Sequence, residues 1–98
     1  MQFAIRAYDG EHVLERRMAV RARHLENLSK VQDHILCSGG LLDAQGSMYG
    51  SLLIMDMESR EQLDAYLNDE PYLVEKVWER VEIEAMNVVV LNGKKIGV

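Results

Sequence analysis

Residues 2–35 read QFAIRAYDGEHVLERRMAVRARHLENLSKVQDHI, and the change of period inside this stretch decides the fold. From Gln2 to Tyr8 apolar residues alternate. Phe3, Ile5 and Ala7 take one side, with Gln2, Ala4, Arg6 and Tyr8 on the other, the two-residue period of a strand. Asp9 and Gly10 end it. From about Val13 to Ile35 the period lengthens. At about 100° per residue, Val13, Leu14, Met18, Val20, Leu25, Leu28, Val31 and Ile35 share one arc, opposite Glu15, Arg16, Arg23, Glu26, Lys30 and Asp33. A long amphipathic helix therefore follows a strand, and its apolar arc must lie on a sheet.

Downstream, ILCSGGLLDAQGSMYGSLLIMDM (35–57) reads as a strand, a turn-rich connection through the glycines, and a second strand from about Tyr49 to Met57. In that strand Leu52 and Ile54 point one way and Leu53, Met55 and Met57 the other, so both faces are apolar. A sheet with helices on one side only normally carries polar residues on its free face. A second copy is expected to cover it, with Leu53, Met55 and Met57 in the interface of a homodimer. Ser59 and Gln62 have capping-box spacing for a second helix carrying Leu63, Tyr66 and Leu67. Asn68-Asp69-Glu70-Pro71 breaks it, and Pro71 opens a short helix expected to run through Trp78. VEIEAM (81–86) alternates as a strand, and an Asn92-Gly93 turn divides the tail. The order β-α-β-β-α-β defines an α+β fold with an antiparallel sheet, the ferredoxin-like split βαβ arrangement. One domain is expected over 1–98, with 86–98 as a tail forming an extra strand or hairpin.

Ninety-eight residues are too few for two independent cores. A net charge of −5 argues against nucleic acid as a partner, because phosphate binding needs a basic surface. The cluster Arg16, Arg17, Arg21 and Arg23 still allows a small anionic ligand. One cysteine, Cys37, has no partner for an internal disulfide and no metal-spaced Cys or His beside it; it reads as a small buried strand residue. The N-terminal stretch lacks the pattern of a signal peptide, and no apolar run approaches the roughly 20 residues of a membrane span. These features together predict a cytoplasmic protein with no membrane association and no metal site.

The chemistry concentrates on the long helix. His24 falls inside the apolar arc, and Arg21 and Arg17 fall there one and two turns earlier. Burying ionisable groups without partners is costly, so carboxylates, a ligand or an opening to water must answer them. Two readings of His24 stand together: a half-buried ring satisfied by a backbone carbonyl, or a proton carrier. His12, in a turn, and His34, facing outward, read as solvated, and Tyr66, Tyr72 and Trp78 read as core. A carboxylate of Asn68-Asp69-Glu70-Pro71 is expected to cap the helix at Pro71, and could also orient a histidine. Gly50 at a strand start could admit a ligand, with the Ser51 hydroxyl beside it.

The stretch Leu14-Glu15-Arg16-Arg17-Met18-Ala19-Val20-Arg21-Ala22-Arg23-His24-Leu25 resembles the central helix motif of the YciI-related proteins. Gly50-Ser51-Leu52-Leu53-Ile54 is similar to their "GS" strand. Asp69-Glu70-Pro71-Tyr72 with Val77-Trp78-Glu79 is similar to their acid-Pro-Tyr segment. The resemblance runs to about residue 86. It implies a ferredoxin-like domain that pairs as a dimeric α+β barrel, and a His–carboxylate acid/base dyad in a cleft. It carries the dyad histidine to His24 and the acid to Glu70, with Asp69 as a rival; Arg21 and Ser51 match pocket positions. Relatives with a defined reaction, a dehydrochlorinase of a chlorinated hydroxyquinol among them, act on small ring catabolites without a metal or organic cofactor. Two departures stand out: Glu70 replaces an aspartate, and Glu75-Lys76 replaces a small Ala-Gly pair. The expected function is a cofactor-independent elimination or isomerisation of a small anionic or phenolic ring. His24 would move the proton, Glu70 or Asp69 would orient it, and Arg21, Arg17 and Ser51 would bind substrate. The alternative is a non-catalytic dimeric module that binds a small ligand in the same cleft.

Overall fold

The computed structural model describes residues 1–97; Val98, the last residue of the tail, lies outside the described residues. Strand β1 (Gln2–Asp9) leads through a turn into helix α1 (Leu14–Ser29), and strands β2 (Ile35–Leu42) and β3 (Met48–Asp56) follow. Helices α2 (Arg60–Asn68) and α3 (Pro71–Val74) precede strand β4 (Trp78–Met86), and short strands β5 (Val90–Leu91) and β6 (Lys94–Lys95) form a hairpin. The main sheet runs in the order β2-β3-β1-β4. β1 pairs antiparallel with both β3 and β4, and β2 pairs antiparallel with β3. This is the expected ferredoxin-like topology, with each βαβ unit split by a strand of the other.

The period-two reading of β1 holds: Phe3, Ile5 and Ala7 are buried. Their partners across the register are Met55, Leu53 and Ser51 on one side and Ala85, Ile83 and Val81 on the other. The core therefore lies on this face. Ser59 caps α2 as its spacing predicts, its hydroxyl accepting from the Gln62 N–H.

Four expectations need correction. First, Leu53, Met55 and Met57 are almost fully buried in the chain's own core, so they cannot form a dimer interface. The sheet's outer face instead carries Ala4, Cys37, Leu41, Leu52 and Ile54, in register across β1, β3 and β2. Both faces of β3 are apolar, and only packing reveals which one the helices take. Second, α1 ends at Ser29, and a 3-10 turn over Gln32–His34 carries the chain into β2. Leu28, Val31 and Ile35 still pack on the core, which is why the periodicity ran on. Third, Ser38, Gly39 and Gly40 belong to β2, and the turn is made by Asp43–Ser47, where the Asp43 carboxylate accepts from the Gln45 and Ser47 N–H groups. Cys37 is exposed on this edge strand. Fourth, α3 stops at Val74, because Lys76 takes a left-handed backbone (φ 59°) and Trp78 pairs with Asp9 as the start of β4. Non-glycine residues seldom adopt that conformation, so nothing local marked the end.

Gly50 serves the sheet, not a ligand: a Cβ there would meet the Ala7 carbonyl oxygen at 2.6 Å. The Asn92-Gly93 turn forms as expected, with φ of 52° and 74°. Among the described residues no helix is long and apolar enough to cross a membrane.

Candidate functional site

The strip that α1 buries is Arg17, Val20, His24 and Asn27, so three of its four members are polar. Leu14, Met18 and Leu25, placed in the apolar arc by sequence, stay exposed instead. The helix is rotated so that its polar strip meets a set of partners from distant parts of the chain.

Arg17 is fully inside. One terminal nitrogen donates to both Asp9 carboxylate oxygens, at 2.8 and 2.9 Å, and the other to Ser51 Oγ at 2.9 Å. Its guanidinium lies 4.7 Å from the centre of the Tyr72 ring, and its Nε finds no acceptor among the described residues. Burial pushes the Asp9 carboxyl up despite the neighbouring Arg17. Trp78 Nε1 donates to the same Ser51 Oγ at 3.3 Å. With two donors on its oxygen, Ser51 has its own O–H left to give.

His24 sits about two turns further along α1. Its Nδ1 is 2.5 Å from Glu70 Oε1, a short charge-assisted contact. Its ring stacks on Tyr72 at a centroid distance of 4.0 Å and an interplanar angle of 15°, with the Trp78 edge 6.1 Å away. His24 Nε2 has no hydrogen-bond partner among the described residues, yet it is not sealed like Arg17 Nε: His24 lines a cleft. Nδ1 is thus committed to the carboxylate, and Nε2 is the uncommitted nitrogen of the ring.

Glu70 is completely buried. Pro71 at the first position of α3 fixes the entry into that helix, and Glu70 caps it by accepting from the Tyr72 N–H at 3.2 Å. Its other oxygen accepts from the Tyr66 hydroxyl at 2.6 Å and from Asn27 Nδ2 at 3.3 Å. Burial alone would raise the Glu70 carboxyl, but hydrogen bonds from His24 and Tyr66, the charge of His24 and the Tyr72 N–H outweigh it and hold it below its usual range. Burial, then the adjacent Glu70 charge, pushes the Tyr66 phenol far up, so it remains a donor.

Because Glu70 titrates lower in the folded chain than unfolded, its ionised form stabilises the fold above its unfolded value of about 4.5, and that share is lost as pH falls from there through the folded value. Asp9 acts in the opposite sense, being raised: its share is present below about 3.8 and lost as pH rises through its folded value. Wild type should therefore lose more stability on acidification below about pH 4.5 than Glu70→Gln, which keeps Asp9 but cannot titrate. Urea melts across that range would read it; parallel losses in the two proteins would contradict the assignment.

The cleft is about 160 Å³ and lies between α1 and the β2–β3 edge of the sheet. Arg17, Arg21, His24, Ser51 and Tyr72 line it, and Gly40 forms part of its floor, where a Cβ would meet Met48 Sδ at 2.7 Å. Arg21 is exposed at the rim and makes no hydrogen bond or ion pair among the described residues. Of the sequence-predicted residues, His24, Glu70, Arg17, Arg21 and Ser51 come together here. Asp69 does not: it is exposed at the C-terminal end of α2, its own N–H bonded to Tyr66 O. Sequence reasoning missed Asp9, Asn27 and the donor role of Tyr66, and it assigned Tyr72 to the core without its stacking on His24. Asn27, three residues after His24, was the one signal available in sequence. His34, read as solvated, is half-buried with Nδ1 2.9 Å from the Asp56 carbonyl oxygen.

A model of the YCII-related domain matches residues 1–87. The chain belongs to the YCII-related family. Protein YciI of Escherichia coli O6:H1 is 32% identical over 92 residues, spanning 86% of this chain and 94% of that protein. Among solved structures, this YCII-related chain is similar to the 5-chloro-2-hydroxyhydroquinone dehydrochlorinase of Burkholderia phenoliruptrix AC1100, in complex with 2,5-dihydroxybenzoquinone. The TM-score is 0.83 with 26% identity, over 88% of this chain and 93% of that one. A crystal structure of an antibiotic biosynthesis monooxygenase shares the fold at a TM-score of 0.57 and 13% identity, over 91% and 98% of the two chains. The match to the family model ends one residue before Val88, so the β5–β6 hairpin lies beyond it.

Proposed function

We propose that this YCII-related protein is a cofactor-independent acid/base enzyme acting on a small phenolic or otherwise anionic ring, by elimination or isomerisation. The observation that carries the reading is the polarised His24: Nδ1 held by a buried, ionised Glu70, and Nε2 free on a cleft. An ionised carboxylate on Nδ1 keeps a proton there, which leaves Nε2 with the lone pair of a general base. Tyr72 stacked on the ring prevents its rotation. Arg21 at the rim attracts the negative oxygen of the substrate, and the spare Ser51 O–H donates to it. Arg17 holds Ser51 and Asp9 in place. Proton removal by Nε2 then lets the electron pair of the broken bond expel an anion from the ring, or move its double bond while Nε2–H returns the proton at the new position.

Size supports a single ring: a cavity of ~150 Å³ suffices for benzene, and this cleft measures about 160 Å³. The dehydrochlorinase neighbour, whose bound ligand is a dihydroxylated quinone, makes chlorinated hydroxyquinols the first substrates to try. Chloride release that is lost in His24→Asn is the expected result. Tight binding of such rings with no turnover by wild type would favour the second reading, a ligand-binding module.

The protein is further proposed to pair through the outer sheet face. Leu41, Leu52 and Ile54 are only half-buried there, beside a charged half in which Tyr8 donates to Glu82 at 2.8 Å and Arg80 lies 4.1 Å from the Tyr8 ring. Sedimentation at micromolar concentration should show a dimer, and Ile54→Lys should shift it to monomer by burying an unpaired charge. A wild-type monomer would remove this part of the proposal.

A further inference from the structure

The polar pocket has a second depression beside it. Leu25, Leu28 and Ser38 form the wall of the pocket on one side and also line a second depression of about 250 Å³, completed by Ser29, Gln32 and Ile35 between α1 and β2. Among the described residues no charged side chain lines this groove and no carboxylate lines either depression, although the chain as a whole is acidic. The cations are both at one end, Arg17 inside and Arg21 at the rim, beside His24. The composite site is therefore cationic at its head and uncharged along its arm, where Leu25, Leu28 and Ile35 supply the apolar surface.

We infer that the substrate is a ring bearing an acidic oxygen and an apolar substituent, with the ring in the His24 pocket and the substituent in the Leu25–Leu28–Ile35 groove. This rests on the reading of the His24 pocket given above and extends it to a specificity subsite. The shared wall sets the order of the parts, since a group leaving the pocket past Leu25 and Leu28 enters the groove directly. Charge complementarity sets their chemistry: an anionic head meets Arg21, and a charged arm would lose its water without gaining a partner. By the measure that ~150 Å³ accommodates benzene, the groove of about 250 Å³ takes a second ring or a short branched chain. Pocket and groove together fall in the ~300–1,000 Å³ range of ordinary small-molecule sites, which the pocket alone does not reach.

Catechol and 4-butylcatechol serve as probes, titrated into the isotope-labelled full chain with amide shifts and affinity as readouts. The butyl compound is expected to bind at least about tenfold tighter, since each methylene fully removed from water contributes roughly fourfold. Its extra shifts should map to Gln32, Ile35 and Ser29. Gln32→Trp, at an exposed position, fills the groove without touching the pocket. It should bring 4-butylcatechol back to within about twofold of catechol and leave catechol unchanged. A butyl chain that gains nothing in wild type, or whose gain survives Gln32→Trp, overturns the subsite. Catechol that shifts neither His24 nor Ser51 overturns the ring-site reading instead. The groove is judged by 4-butylcatechol against Gln32→Trp in either case.

Discussion

His24→Asn is expected to leave the chain folded and to lower turnover of its ring substrate by about two to four orders of magnitude, the usual contribution of a general acid or base. Asparagine can hydrogen-bond but cannot take up and release a proton near neutral pH. The Glu70 carboxylate keeps its donors from Tyr66, Asn27 and the Tyr72 N–H, so the buried charge is not abandoned when the imidazole is removed. Loss of the stack on Tyr72 should lower the melting temperature modestly. Binding of 2,5-dihydroxybenzoquinone as a probe should change far less than turnover, because Arg21 and Ser51 remain. A variant that turns over at the wild-type rate would end the catalytic reading. The comparison has a built-in control in Arg21→Gln, which should raise KM more than it lowers kcat if the rim cation only gathers the substrate.

Glu70→Ala is the substitution with the largest expected effect on stability. It deletes a carboxylate of zero exposure and strands four groups at once: His24 Nδ1, the Tyr66 hydroxyl, Asn27 Nδ2 and the N–H that opens α3. Leaving one buried donor without its acceptor costs about 1–3 kcal/mol, and here several lose theirs together. In a domain of this size each kcal/mol moves the melting point by roughly 4–8 °C, so the loss should be plain in a thermal melt. Glu70→Asp is the informative companion. The shorter side chain cannot keep both the capping position before Pro71 and its reach to His24 and Tyr66 without movement of the backbone. It should be milder than alanine in stability and still impair turnover. Asp69→Asn, by contrast, should be nearly silent in both assays, since Asp69 is exposed and contributes no hydrogen bond to His24. Equal effects at 69 and 70 would contradict the pairing.

What could be read from the chain and what could not divide along a physical line. Element type and order were legible because they depend on local periodicity: alternation in Gln2–Tyr8, a helical period from Val13, a capping serine before α2 and a proline at the start of α3. From these the ferredoxin-like order follows, and a histidine on a helix face that meets a sheet follows with it. The family motifs put Glu70 ahead of Asp69 as the dyad acid and matched Arg21 and Ser51 to pocket positions. Where elements stop was less legible, because α1 gives way to a 3-10 turn with the same residues facing the core and α3 ends at a left-handed lysine, neither marked by glycine or proline. Which way an amphipathic element turns was decided only by packing. A strand with two apolar faces can bury either one, and the helices chose Leu53 and Met55 over Leu52 and Ile54. Helix α1 left Leu14, Met18 and Leu25 in the open and buried Arg17, His24 and Asn27, against the hydrophobic pattern. Such a rotation costs free energy unless every buried polar group is answered. The answers come from Asp9, Ser51 and Glu70, up to 46 residues away in the chain, and among the described residues they leave only Arg17 Nε over. The sequence by itself determined the elements, their order and the candidate residues. Tertiary structure alone decided which carboxylate reaches His24 and which nitrogen of its ring faces the cleft, because both depend on contacts between segments that no local pattern couples.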